Sequence, residues 1–173
     1  MYELKLDGFR ATLYVENASG RFFSKTKKPM PRFRDLASAL ARQLRVTDAI
    51  LDGELIVMGK SGPDFDALMR DRGRPELVAF DLLWQDGRDL RDLPLWRRKR
   101  ALQTLIRKTS IGYVEHTVDP RLFDSAVQMD LEGVVAKRRS DPYTSGTDWF
   151  KIKHAGYSQN IGRRELFDYF RRR

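Results

Sequence analysis

Apolar and polar positions along this chain change period several times, and each change marks an element. Residues 4–6 and 11–16 are short β-prone stretches on either side of Asp7-Gly8, and "NASG" at 17–20 has turn composition before a further strand at 21–24. These predict antiparallel pairing. Over 33–44 the apolar residues fall at 36, 40 and 44 with 37 and 41 alongside, the pattern of an amphipathic helix. "AILDGELIVMG" (49–59) reads as a strand interrupted by Asp52-Gly53-Glu54. "DFDALMRD" reads as a short helix, and "ELVAFDLLW" (76–84) as a mostly buried strand stopping at the Asp86-Gly87 turn. Pro94 suits the first turn of a helix to about 107, with Leu95, Leu102, Leu105 and Ile106 inward. A strand at 111–116 and a helix at 120–129 follow. "GVVAKR" (133–138) and "WFKIK" (149–153) predict two more strands, joined by the loop "RSDPYTSGTD".

Strands and helices mix without a strict βαβ rhythm, which predicts an α+β domain of antiparallel sheets flanked by helices. The expected domain covers 1–155, and 156–173 reads as a basic C-terminal tail with a last short helix. At 173 residues, 41% hydrophobic and 11% aromatic, the chain is long enough to bury one core. It contains no apolar run near the roughly 20 residues of a membrane span and no signal-peptide pattern, so the expectation is a soluble, cytoplasmic protein with no membrane partner.

Charge narrows the partners. Thirty-three Lys plus Arg against 24 Asp plus Glu give a net +9, which points to a polyanion such as nucleic acid. The basic runs "WRRKR" (96–100), "AKRR" (136–139) and the closing "RRR" are dispersed, and the first can equally be the solvated face of a helix. The absence of cysteine excludes disulfides, zinc-thiolate sites and thiol nucleophiles. His116 and His154 lie far apart, without metal-ligand spacing.

The chemistry-bearing signal is a set of polar residues inside apolar stretches, where burial is costly without a task. "KLDGFR" alone could be a turn flanked by charges. It is joined by Asp52 and Glu54 in "LDGELIV", Asp81 after Phe80 in "VAFDLLW", Glu132 and Lys137 around the apolar pair of "LEGVVAKR", and Lys151 and Lys153 on one face of "WFKIK". These five segments, in this order, resemble the adenylyltransferase domain of bacterial-type ATP-dependent DNA ligases. That domain belongs to the lysine-dependent covalent nucleotidyltransferases (ATP-grasp-like), which also include RNA ligases and messenger-RNA capping enzymes. The resemblance runs from Glu3 to about Lys153.

It implies a role for each position. Lys5 would be the adenylylated nucleophile and Asp7 would help orient it. Arg10 would contact the ribose, Glu3 the adenine amino group and Glu54 a ribose hydroxyl; Phe80 would stack on adenine. Glu132 would bind Mg²⁺, with Mn²⁺ an alternative, and Lys151 and Lys153 would hold the α-phosphate. Lys25, Lys137 and Arg138 would meet nucleic acid, Lys25 standing where the family often has an arginine. An ordinary lysine is neutral at pH 7 only about once in 2,500, so a lysine nucleophile needs cations, metal or desolvation to lose its proton.

Two departures accompany the resemblance: only four residues precede Lys5, and the chain ends about 20 residues after Lys153, too soon for the OB-fold domain that usually follows. The expectation is therefore a domain lacking the OB fold and poor at self-adenylylation, with that function supplied by a separate domain or protein. The leading reading is joining of 5′-phosphate and 3′-hydroxyl ends at nicks in duplex DNA, with ATP. RNA-end sealing on the same scaffold, or a non-catalytic basic nucleic-acid-binding fragment, are the alternatives.

Overall fold

A computed structural model describes residues 1–160. Within these residues ten strands form two sheets, accompanied by four α-helices. The strands are β1 (Tyr2–Leu4), β2 (Phe9–Glu16), β3 (Ser19–Ser24), β4 (Asp48–Val57), β5 (Pro75–Gln85), β6 (Arg88–Asp89), β7 (Gly112–Tyr113), β8 (His116–Thr117), β9 (Gly133–Lys137) and β10 (Trp149–Lys153). The helices are α1 (Arg34–Ala41), α2 (Phe65–Met69), α3 (Leu95–Ile106) and α4 (Leu122–Gln128).

The larger sheet has the order β3-β2-β4-β5-β6, with β7 alongside β5; the smaller has the order β10-β9-β1-β8. Every pairing is antiparallel except β5 with β7. The α+β class is as expected. Alternation explains the layering: Leu13, Leu51, Leu55, Leu77 and Leu82 turn to one face of the larger sheet, where Leu40 of α1 and Leu102 and Ile106 of α3 cover them. The opposite face keeps Arg10 and Glu54, which are direct partners across β2 and β4. A second, smaller cluster of Ala126, Leu131 and Val134 joins α4 to the four-stranded sheet. Local signals fix the ends. Asp64 caps α2 by accepting from Ala67 N at 2.8 Å, and Pro94 opens α3 from the cap position.

Three expectations change. Asp7-Gly8 closes no hairpin: β1 and β2 lie in different sheets, and the chain crosses between them there. Gly8 is required because a Cβ would stand 2.1 Å from the carbonyl oxygen of Leu55. The predicted strand at 111–116 splits, β7 pairing with β5 and β8 with β1, because Val114 turns into the core between them. The expected boundary at 155 falls too early, since Tyr157 is buried and Gln159 donates to the Pro63 carbonyl at 2.6 Å and accepts from Phe65 N at 3.0 Å. The rest of the expected basic tail, with its helix and closing arginines, lies outside the described residues. Among the described residues no helix is long and apolar enough to cross a membrane.

Candidate active site

The polar face of the larger sheet and the smaller sheet enclose a cavity of about 150 Å³, lined among others by Glu3, Lys5, Arg10, Lys25, Glu54, Phe80, Lys137, Trp149 and Lys151. Lys5 follows directly on β1, and its backbone N–H donates to the Gly133 carbonyl at 2.9 Å, which fixes where its side chain leaves the sheet. Its ammonium donates to Oε2 of Glu132, a carboxylate only 4% exposed, while Lys153 Nζ stands 3.6 Å from Oε1 of the same group. Glu132 reaches this position because Gly133 lets β9 and β10 approach. Gly133 has φ +133°, and a Cβ there would sit 2.1 Å from the Ile152 carbonyl oxygen.

Arg10 forms the next wall. Its guanidinium donates to both oxygens of fully buried Asp52, at 3.2 and 2.6 Å, and Tyr143 Oη donates to Asp52 Oδ2 at 2.7 Å. Burial works against the Arg10 charge, but Asp52 and Tyr143 together outweigh it and hold Arg10 above the ordinary arginine value. The same guanidinium lies 5.4 Å from the Phe80 ring centre and 4.7 Å from that of Trp149. Burial pushes the Glu54 carboxyl up to about 8, against the pull of the Lys5 and Arg10 charges. Burial also lowers Lys151, helped by the neighbouring charges of Lys25, Lys5 and Arg10. A lysine crowded by cations in this way is suited to an anion that neutralises all of them.

Behind the cavity is a buried ion network. Glu3 accepts from Lys99 Nζ at 2.6 Å through Oε1 and pairs with Lys137 Nζ at 2.5 Å through Oε2. Asp81 accepts two hydrogen bonds from Arg98, at 2.8 and 2.9 Å, and Arg98 also donates to the backbone carbonyls of Leu93 and Asp141. Both members of that pair are at most 1% exposed, so each needs the other.

Most of the predicted site residues are brought together. Glu3, Lys5, Arg10, Lys25, Glu54, Phe80 and Lys151 line the cavity, and Lys153 joins it through Glu132. Asp7 is buried and accepts a 3.0 Å hydrogen bond from Tyr157 Oη, which anchors the segment after β10 beneath the Lys5 turn. Arg138 is exposed. Lys137 is a correction: at 4% exposure, paired to Glu3 and lying 4.5 Å from the Phe80 ring centre and 4.1 Å from that of Trp149, it is part of the cavity wall and not of a nucleic-acid surface. "WRRKR" likewise is no solvated face, since Arg98 and Lys99 are among the most buried side chains.

Asp52, Asp81 and Trp149 stood in the quoted motifs without a role, and Tyr143, Arg98 and Lys99 carried no signal beyond charge in the sequence. A larger cleft, about 430 Å³ around Tyr14, Ile50 and Trp84, contains none of the predicted site residues.

Known proteins resemble this chain in sequence and fold. The family described as ATP dependent DNA ligase domain matches residues 1–153. The multifunctional non-homologous end joining protein LigD of Pseudomonas aeruginosa is 37% identical over 166 residues, covering 88% of this chain and 20% of that protein. A probable DNA ligase of Dictyoglomus thermophilum is 31% identical over 88% of this chain and 31% of its own length. Among solved structures, a mycobacterial DNA ligase D complexed with ATP and MES superposes with a TM-score of 0.75 at 33% identity, over 88% of this chain and 54% of that one. The chain thus spans well under two thirds of each of these relatives. With the family matched over the two sheets and every residue of the cavity, this chain belongs to the ATP-dependent DNA ligase domain family and has its nucleotidyltransferase fold.

Proposed function

We propose that the cavity binds ATP, that Lys5 takes AMP from it, and that the protein of which this domain is part joins a 5′-phosphate to a 3′-hydroxyl at nicks in duplex DNA. The observation that carries this reading is Lys5 at the cavity rim, held by buried Glu132 and flanked by Lys151 and Lys153, opposite an aromatic wall of Phe80 and Trp149. An ammonium, two further cations and an aromatic wall match a phosphate joined to a base.

In the first step Lys5 Nζ, having released its ammonium proton to water, gives its lone pair to the α-phosphorus. A P–N bond forms as the P–O bond to pyrophosphate breaks. Lys151 and Lys153 neutralise the α-phosphate oxygens, and Arg10 and Glu54 hold the ribose. AMP then passes to a DNA 5′-phosphate, and the 3′-hydroxyl displaces it. Exposed Lys25 and Arg138 offer phosphate contacts for that strand. The residues fit Mg²⁺ only as an ion shared with ATP. Glu132 offers carboxylate oxygens, but no group of three or more His, Cys, Asp or Glu suited to a metal exists among the described residues, so phosphate oxygens and water would complete the shell. When bound, Mg²⁺ or Mn²⁺ supplies positive charge to the phosphoryl oxygens.

Incubation with ATP and Mg²⁺, followed by intact-mass spectrometry, tests the reading. The wild type gains one acid-labile AMP and Lys5→Ala gains none, while both melt cooperatively. An adduct on Lys5→Ala, or none on the wild type, removes the assignment.

A further inference from the structure

Helix α3 carries four consecutive basic residues, and their fates differ. Arg97 and Arg100 are exposed, whereas Arg98 is consumed by Asp81. Lys99 is 1% exposed, which a lysine tolerates only when its charge and donors are matched. Its ammonium has three N–H donors and three acceptors: Glu3 Oε1 at 2.6 Å, the Val114 carbonyl at 3.0 Å and the Phe80 carbonyl at 3.4 Å. All three acceptors belong to residues that line the cavity, while Lys99 itself does not line it.

We infer that Lys99 is a positioning residue for nucleobase selection: from behind the wall, its ammonium fixes the Glu3 carboxylate and the Phe80 ring that together receive the base. This rests on the reading of the cavity as an ATP site. Glu3, accepting from Lys99 on one oxygen and paired with Lys137 on the other, is an acceptor-only group whose remaining lone pairs have fixed directions. Such a group accepts from the exocyclic amino group of adenine. It opposes the carbonyl that guanine carries at the same position, because two acceptors then face each other in a desolvated site. Through the Phe80 carbonyl, the same ammonium fixes the strand from which the stacking ring projects. Lys137 cannot stand in for Lys99, since it approaches Glu3 from the cavity side, between the Phe80 and Trp149 rings.

The test compares ATP and GTP as donors to Lys5 in the wild type, Lys99→Met and Lys99→Arg, with formation of the covalent nucleotide followed by mass. Methionine keeps most of the apolar stem and removes the charge. Loss of one charge-assisted contact to Glu3 is expected to lower kcat/KM for ATP about tenfold, through KM, and to narrow the ATP-over-GTP ratio by a similar factor. The rate at saturating ATP changes less, and Lys99→Arg recovers part of the ratio. A merely structural role would lower both nucleotides together and leave the ratio untouched. A folded Lys99→Met with the wild-type ratio overturns the inference. Should Lys99→Met melt below the assay temperature, Lys99→Gln, which keeps donors without charge, decides in its place, and an intact ratio there overturns the inference equally. A wild type that forms no Lys5-AMP removes the ATP-site reading instead, before any ratio exists.

Discussion

The larger sheet packs on α1 and α3 through Leu13, Leu51, Leu55, Leu77 and Leu82, each at most 1% exposed, while the smaller sheet rests on a cluster of only three buried side chains, Ala126, Leu131 and Val134. The two contribute different parts of the cavity. From the deep side come Arg10, Glu54 and Phe80; from the thin side come Lys5, Glu132, Lys151 and Lys153. Residues proposed for the ribose and for stacking on the base thus stand on a well-packed platform, whereas Glu3 and the residues proposed for phosphate stand where few apolar contacts resist displacement. Local opening is cheapest where such contacts are fewest. A division of this kind suits a site that keeps one nucleoside in place while the groups bonded to its phosphate change.

Asp81→Ala strikes the deep side hardest. It leaves the Arg98 guanidinium buried without its carboxylate, and stability should fall by about 3–5 kcal/mol. Denaturant unfolding measures this, and a loss below about 1 kcal/mol, the range of exposed pairs, would mean that water replaces the carboxylate. Gly133→Ala strikes the thin side. The new Cβ collides with the Ile152 carbonyl at a backbone angle that L residues avoid, so β9 and β10 part and Glu132 moves from Lys5. Lys5-AMP formation should be lost at a stability cost of about 1–3 kcal/mol. If Gly133→Ala unfolds as readily as Asp81→Ala, the two sheets are one cooperative unit and the contrast fails.

The last effect is a pH dependence. Glu54 ionises near 4.5 when unfolded and at about 8 when folded, so between these values the folded state holds a proton that the unfolded state has released. The stability this contributes is complete below pH 4.5 and is lost as pH rises through 8. Glu54→Gln removes this dependence. The melting temperature of the variant relative to wild type should therefore climb from pH 5 to pH 8 and then level off. A constant difference would place Glu54 in contact with bulk water.

Elements with a strong period were legible in the sequence: β4, β5, β9, β10 and α3 all lie within a few residues of their expected bounds. The polar residues Glu54, Glu132 and Lys151 were visible as candidates because they interrupt apolar strands, whereas Lys5, Arg10 and Phe80 were singled out only through the resemblance. What was hidden depends on the third dimension. Asp7-Gly8 has hairpin composition, yet Gly8 serves a close crossing beneath the Leu55 carbonyl, and no local sequence reports that carbonyl. Lys99 and Arg98 resemble Arg97 and Arg100 in every local respect. Only the positions of Glu3 and Asp81, 96 and 17 residues away, separate buried cations from solvated ones. Trp149 and Tyr143 stood in or beside a quoted motif, but an aromatic at a strand end or in a loop carries no sign of the guanidinium it covers.

β10 forms one margin of its sheet, and among the described residues it pairs with β9 alone. Its exposed side chains include Phe150 at 51% and Ile152 at 40%, alternating with Lys151 and Lys153. An open margin bearing two large apolar groups is a template on which another chain can add a strand, and lysines on such a margin discourage it. The cations proposed to bind phosphate are thus also placed to disfavour strand pairing between copies. This couples chemistry to solubility: an apolar replacement of both lysines would convert a catalytic defect into a tendency to aggregate.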